Sequence, residues 1–237
     1  MTRLVFPDIE LVPGELLVPP LVARHARVAR VEPGEAVEVL NLAGGVGLGT
    51  LVRWNGDGSC VVAISQVLRE RGEPPAPLTL ALAVLHTQAF DWAVEKATEL
   101  GVTAVVPVLT SRVQGRDHGK RVSRWQRVAE AAVAQCGRSR APEVASPVAL
   151  GDFLAGAFGL RVVADFGGKA LPFFSVSASS GVTLLVGPEG GFTGDERRTI
   201  AGAGFVTLSL GPRTLRAETA AVCGLAVLQT ALGWWTT

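Results

Sequence analysis

Two short loops in the last quarter of the chain gather the residues best suited to chemistry. The first, Gly187-Pro188-Glu189-Gly190-Gly191, sets one carboxylate between a proline and a glycine pair. The second, Gly211-Pro212-Arg213-Thr214-Leu215-Arg216, carries two arginines and runs on to Glu218. Each loop follows a short apolar run, residues 183–186 and 205–210, and each precedes a helical pattern. Open α/β sheets hold their ligands at the carboxyl ends of buried strands, so the two loops are expected to form one composite site. Pro188 fixes the turn, and Gly190-Gly191 permits positive φ or a close approach of backbone to ligand. The spacing is not that of a phosphate-binding GxxxxGK[ST] loop, no lysine lies near, and Glu189 would repel phosphate. A cationic or hydroxyl-bearing ligand suits it better; the alternative is a loop leading into a helix, its glutamate merely solvated. Glu218 has a similar alternative, because an acid in the first turn gains from the helix macrodipole alone. Thr193 and Glu196 have the capping-box spacing, which fixes where the helix after the first loop begins.

The rest of the chain must position these loops. Its 237 residues suit one or two domains, and a net charge of +1 gives no global nucleic-acid signature. Cys60, Cys136 and Cys223 are far apart and odd in number, which argues against a disulfide framework or a zinc site. No metal is expected, and a reducing cytoplasm fits best. The first residues lack a basic-then-apolar signal pattern. Residues 219–237 carry no charge, but Gln229, Thr230 and many alanines point to a helix buried in protein rather than a membrane span.

Residues 1–70 read as β-rich, with valine-dense runs separated by turn signals. The clearest hairpin surrounds Asn55-Gly56-Asp57-Gly58. Such strands are expected to form a small barrel, residues 1–72, that closes its own edges. His25, Arg27 and Arg30 fall on a short helical turn, either solvated or forming a basic edge for a phosphate backbone. The glycine run at 44–49 reads as a loop, and residues 69–77 as an extended charged and proline-rich linker. From residue 78 to 237 strands and helices alternate, which predicts an α/β domain with a parallel sheet. Strands are expected at 78–85, 103–109 and 160–164, with 165–169 a loop, and helices at 88–100, 120–136 and 152–157. Arg112, Arg116, Lys120, Arg121, Arg124, Arg127, Arg138 and Arg140 face only Asp117 and Glu130 across residues 112–140. Arg121, Arg124 and Arg127 lie on or beside the polar face of the 120–136 helix, either a solvated surface or a contact for a polyanion.

The combination GPEGGFTGDE followed by LGPRTLRAETA resembles the bacterial 16S rRNA uracil-N3 methyltransferases, the RsmE family of the knotted SPOUT superfamily. The resemblance covers most of the chain. His25, Val28, Arg30 and Gly34 resemble the H-x-x-V-x-R-x-x-x-G of its PUA-like domain, and residues 96–102 its K-x-T-E-L-G-V helix end. Arg124-Trp125, Glu130-Ala131-Ala132 and residues 135–138 resemble its R-W…E-A…Q-x-x-R helix. His86 stands where the family usually has a lysine, and Thr214 replaces an isoleucine. The resemblance implies a PUA-like β-barrel at 1–72 and, at 78–237, an α/β SPOUT domain whose chain is tied in a deep trefoil knot.

It further implies S-adenosylmethionine as cofactor, 16S rRNA of the small ribosomal subunit as substrate, and a homodimer. Leu185, Gly187, Pro188, Glu189, Gly190, Gly191, Leu210, Gly211, Leu215, Thr219 and Ala220 are then the expected cofactor contacts. His25, Arg27, Arg30, Arg112, Arg121, Arg124, Arg127 and Arg138 are the expected RNA contacts. Uracil N3 must lose a proton to become nucleophilic, so a cation or a base near the ring is required. Arg216 is the first choice for that cation, with Glu218 orienting it or acting as base and Arg213 as its substitute. The rival readings are another RNA target in the same superfamily, a non-catalytic ribosome-assembly factor, and a small-molecule α/β enzyme.

Overall fold

The computed structural model describes residues 1–113, 121–169 and 180–234; Arg116, Asp117 and Lys120 of the basic stretch fall outside them. The chain forms two compact units, Met1–Glu73 with Glu130–Ala141, and Pro74–Ala129 with Pro142–Thr237.

The first unit holds β1 (Thr2–Val5), β2 (Gly14–Val18), α1 (Pro20–Val28), β3 (Ala36–Leu40), β4 (Gly45–Trp54) and β5 (Cys60–Arg69). They make one sheet in the order β1-β3-β4-β5-β2, antiparallel except for the β1–β3 pair. The β4–β5 hairpin turns where the Asn-Gly signal places it, with Asp57 accepting from the Ser59 N–H at 2.9 Å. Leu4, Val37, Val39, Leu51 and Val62 fill the core beside Ala23 and Ala26 of α1. The glycine run at 44–49 is not a loop: from Gly45 it is the first half of β4. Its glycines answer to packing, since a Cβ at Gly47 would come within 3.0 Å of Ile64 and one at Gly49 within 2.5 Å of the Ala63 carbonyl.

Residues 130–141 return to this unit, although the sequence pattern alone assigns them to the second domain. Val133 packs on Leu40 and Val46. The buried carboxylate of Glu38 accepts from Arg71 at 2.6 and 2.9 Å and from Arg3 at 2.9 Å. Those arginines also donate to backbone carbonyls, Arg71 to Gly137 and Arg3 to Ala134 and Gln135. Arg71 above all, with help from Arg3, holds the Glu38 carboxyl below its ordinary range despite its burial. Nor do the charges at 70–73 float in a linker. Glu73 accepts from the Arg138 guanidinium at 2.6 Å, the Ser139 N–H and hydroxyl at 3.1 Å, and the Arg140 N–H at 2.9 Å.

The second unit runs β6 (Leu78–Ala83), α2 (Thr87–Glu99), β7 (Ala104–Leu109), α3 (Val122–Cys136), β8 (Glu143–Val144), β9 (Val148–Ala149) and α4 (Leu150–Gly156). Then come β10 (Leu160–Lys169), β11 (Val182–Val186), α5 (Gly194–Gly202), β12 (Val206–Leu208) and α6 (Ala217–Ala231). Only the first part of α3, to Ala129, belongs here. The sheet order is β12-β10-β11-β6-β7-β8, with β9 also on β7, and every pairing is parallel. All carboxyl ends therefore share one edge. β6 and β11 are buried along their whole length, as their unbroken apolar runs demand. β10 outruns its expected end at 164 and continues to Lys169, where a register shift lets it pair again with Leu208 of β12. From β12 at the margin, α6 comes back to pack on α2 and β11. Gly224 makes that return close, since a Cβ there would meet Leu184 at 2.9 Å. Gln229 ties it down by donating to the Leu100 carbonyl at 2.8 Å. No helix among the described residues is long and apolar enough to cross a membrane.

Candidate functional site

At the carboxyl edge of the second unit β11 and β12 end level with Ala164 of β10, which runs on to Lys169. Between them opens a cavity of about 100 Å³. Gly187, Pro188, Glu189 and Gly191 line one side, and Leu210, Gly211, Arg213 and Leu215 another. Val186, Leu208, Ala217 and Ala220 give it apolar walls. The two loops picked out by their residue types thus meet around one space. The third wall, Ala164, Asp165 and Phe166 midway along β10, is absent from the expected set because residues 165–169 read as a loop of no special character; Phe192 is absent from it too. Asp165 accepts from Arg197 of α5 at 2.6 and 3.1 Å, so its carboxylate is already engaged.

Local geometry holds the first loop still. The Gly191 N–H donates to the Pro188 carbonyl at 2.8 Å, and Gly191 sits at φ +67°, where its lack of a Cβ is used. Gly187 is packed so tightly that a Cβ would lie 2.9 Å from the Phe192 ring. The expected capping box is present: Glu196 N–H to Thr193 Oγ1 at 3.2 Å, and Thr193 N–H to the Glu196 carboxylate at 2.7 Å. That carboxylate also accepts from the Ser111 N–H after β7, at 2.7 Å. Burial alone would raise the Glu196 carboxyl, yet the N–H groups of Ser111 and Thr193 outweigh it and hold it below the ordinary glutamate value. The capping residue of α5 therefore also fastens the loop that bears Arg112, whose guanidinium donates to the Gly190 carbonyl.

Beside this lies a second, larger cleft of about 660 Å³. Its floor is Val84 and Leu85 at the end of β6, and its rim His86, Arg112 and Arg121, with Glu189 and Gly190 on the remaining side. Glu189 lines both spaces.

Several expected contacts are not brought to the first cavity. Leu185 is fully buried in a core cluster with Val163, Phe192 and Ile200, because alternate strand residues face opposite ways; Val186 lines the cavity instead. Gly190 lines the second cleft, and Thr219 lines neither. Of the three residues expected to act on the target base, only Arg213 lines the cavity. Arg216 is the N-cap of α6, its side chain 84% exposed and 4.0 Å from the mostly buried Glu218. The capping alternative for Glu218 keeps its force, since it sits in the first turn of α6.

The expected RNA contacts also divide. His25, Arg27 and Arg30 are exposed on or just after α1, with Arg27 stacked 5.0 Å from the Trp54 ring centroid. Arg112, Arg124 and Arg127 are exposed and Arg121 is half-buried, although Arg124 already donates twice to Asp91, at 2.6 and 2.9 Å. Arg138 is withdrawn from this set. It is 4% exposed and paired with Glu73, so its charge serves the interior of the first unit. Among the described residues, no group of three or more His, Cys, Asp or Glu could hold a metal ion.

The chain has clear relatives. The family profile for RNA methyltransferase domains matches residues 72–229. A protein of Synechocystis named ribosomal RNA small subunit methyltransferase E is 33% identical over 215 residues, covering 87% of this chain and 69% of the relative. Its namesake in Mycobacterium bovis is 30% identical over 230 residues, 89% and 84% of the two chains. A solved small-subunit methyltransferase E of Neisseria gonorrhoeae, bound to S-adenosylmethionine, superposes with a TM-score of 0.87 at 29% identity over 97% of each chain. A methyltransferase of Legionella pneumophila, solved with the same cofactor, gives 0.83 at 33% identity over 98% of each.

Proposed function

Because the chain belongs to the RNA methyltransferase family, among the proteins named ribosomal RNA small subunit methyltransferase E, we propose that it methylates N3 of a specific uridine in 16S rRNA. S-adenosylmethionine is the donor, and the substrate is the small ribosomal subunit or its rRNA in the cytoplasm.

The observation that carries this reading is the cavity where β11 and β12 end beside β10. Its walls are mainly apolar side chains and glycine-rich backbone, with Asp165 and Glu189 as carboxylates and Arg213 as the only cationic lining residue among those described. That donor set fits a positively charged sulfonium compound whose amino-acid and nucleoside ends need backbone hydrogen bonds. Residues 187–191 and 210–215 would hold it from two sides, with Ala217 and Ala220 beneath. When bound, S-adenosylmethionine supplies an electrophilic methyl group and loses its positive charge on transfer, which a weakly polar surrounding favours.

The protein's own residues do the rest. Negative charge spreads over the uracil ring as N3 gives up its proton to water, and a nearby cation stabilises it. Arg213 takes that part in preference to Arg216, since it alone of the pair lines the cavity. Glu218 keeps the start of α6 in place. Holding donor and acceptor together supplies much of the remaining acceleration.

Two further parts of the reading have specific support. For a trefoil knot it is the strand order: β12 lies beyond β10 and α6 returns to the sheet centre. For a homodimer it is α6 itself, uncharged after Glu218, with Val222, Cys223, Ala226 and Val227 left half-exposed. His25, Arg27 and Arg30 give the first unit, the PUA-like part of this reading, a basic edge for RNA.

The test is methylation of small-subunit rRNA, naked and assembled, with labelled donor, followed by mapping of the modified nucleoside. N3-methyluridine at one position is expected. Label on a ribose 2′-hydroxyl or on tRNA alone would overturn the assignment.

A further inference from the structure

The cavity wall carries an ion pair, Asp165 with Arg197, that the steps of methyl transfer leave without a part. We propose that the pair anchors the ribose of the cofactor: the Asp165 carboxylate accepts from a ribose hydroxyl, and Arg197 holds that carboxylate in place. This rests on the reading above that the cavity takes S-adenosylmethionine, and it adds a contact that neither glycine-bearing loop supplies.

Asp165 comes one residue after Ala164, which is level with the ends of β11 and β12. Its side chain lines the cavity and is only 11% exposed. Arg197 of α5 reaches back to it, with Nε donating to Oδ2 at 2.6 Å and Nη2 to Oδ1 at 3.1 Å. A planar fork of this kind fixes both oxygens of a carboxylate at once. The same guanidinium passes beside Gly191, where a Cβ would stand 3.7 Å from Nη2, so it spans from the first loop to β10. The capping box sets where α5 begins, and so where that arginine starts from.

The partner follows from counting acceptors. A carboxylate has about four lone-pair sites. Among the described residues Oδ1 accepts twice, from Arg197 and from the Phe166 N–H at 2.8 Å, while Oδ2 accepts only from Arg197. The site left over is on Oδ2, at the wall of the cavity, and the cofactor could fill it with its α-ammonium, its adenine amino group or a ribose hydroxyl. The ammonium is poorly served, because the guanidinium offsets most of the carboxylate's charge and would itself repel a second cation. The flat adenine suits the apolar walls, Val186, Leu208, Ala217 and Ala220. A hydroxyl needs only the free lone pair. Sheets that bind dinucleotides divide the work in the same way, a glycine-rich turn for one part of the ligand and a separate carboxylate for the ribose hydroxyl. Here the glycine loop follows β11, and the carboxylate belongs to its parallel neighbour β10.

The experiment is calorimetry on the full-length protein with S-adenosylmethionine, with 5′-methylthioadenosine, which lacks the amino-acid end, and with the 2′,3′-dideoxy form of the latter. Asp165→Ala should weaken the first two by about tenfold each, the worth of one hydrogen bond to a charged group, and leave the dideoxy ligand within about twofold. Asp165→Asn keeps the shape without the charge; it should fall between, and it carries the test where the alanine variant does not fold. Donor and product share the ribose, so the contact adds affinity without speed: KM for the donor should rise about tenfold with kcat unchanged. A loss confined to S-adenosylmethionine would move the contact to the ammonium, an equal loss on the dideoxy ligand would move it to adenine or to packing, and no loss would remove it; each overturns the proposal. Its failure is separable from that of the cofactor reading. A protein that binds S-adenosylmethionine without this pattern loses only the anchor, whereas one that binds none of the ligands loses both.

Discussion

The cavity and the cleft share Glu189 and little else. The smaller is shaped by main chain: glycines at 187, 191 and 211, a proline at 188, and strand ends whose side chains are short or apolar. The larger is shaped by long side chains reaching in from residues distant in sequence, His86, Arg112 and Arg121. A wall of backbone is stiff and tolerates no added atoms, while a rim of arginines adapts, is screened by salt and works by charge.

The largest effect should come from thickening the backbone wall. Gly187→Val drives a side chain into the Phe192 ring and should weaken S-adenosylmethionine binding by about a hundredfold, roughly 2.7 kcal/mol. Binding of rRNA without donor should change by less than about threefold. Calorimetry with the donor and filter binding with rRNA check the contrast, and equal losses would show that the two functions share one surface.

Glu196 closes the capping box of α5 and accepts from the Ser111 N–H, so its loss should be felt as stability. Glu196→Ala strands the N–H groups of Thr193 and Ser111 and should cost about 2 kcal/mol in urea unfolding. Because the folded carboxyl titrates below its ordinary value, its contribution is full above the unfolded pKa and lost as pH falls through the folded one. The variant should therefore lack part of the acid-side loss of stability below about pH 4.5. Parallel acid limbs would remove Glu196 from this role.

Next in size is Arg213, on the wall of the cavity. Arg213→Ala should slow methyl transfer about tenfold at saturating donor, and Arg216→Ala less than about twofold. The reverse order would return the chemistry to the N-cap of α6.

The smallest effect belongs to the adaptable side. Replacing Arg121, Arg124 and Arg127 together should lower the salt slope of RNA binding, by about 0.7–0.9 for each phosphate that is no longer neutralised. The change should fall short of three phosphates, since Arg124 already answers Asp91. An unchanged slope would make the helix a solvated face.

What can be read from sequence follows the same division. Thr193 and Glu196 are legible because a capping box is written within four residues. The glycine and proline pattern of both loops that line the cavity is legible for a like reason. The third wall at 164–166 is not, because nothing local distinguishes a strand that continues past a glycine from one that stops. The run at 44–49 resembles a loop because glycine usually marks one; here its reason is Ile64 and the Ala63 carbonyl across the sheet. Arg138 resembles an RNA contact because its neighbours in sequence are basic, and its true partner, Glu73, is 65 positions away. The second cleft has no local signature at all, its residues being spread from 84 to 190.

The return of residues 130–141 to the first unit bears on how such a protein can be cut, fused or recombined. A piece ending at residue 72 or 73 looks like a portable module and is not one. Without its borrowed strip it would expose Leu40 and Val46, leave Glu38 with arginines deprived of their carbonyls, and strip Glu73 of its four donors. Grafting the front of this chain onto another enzyme would transplant a lock without its bolt. The portable version would need a loop or a circular permutation that carries the second segment along.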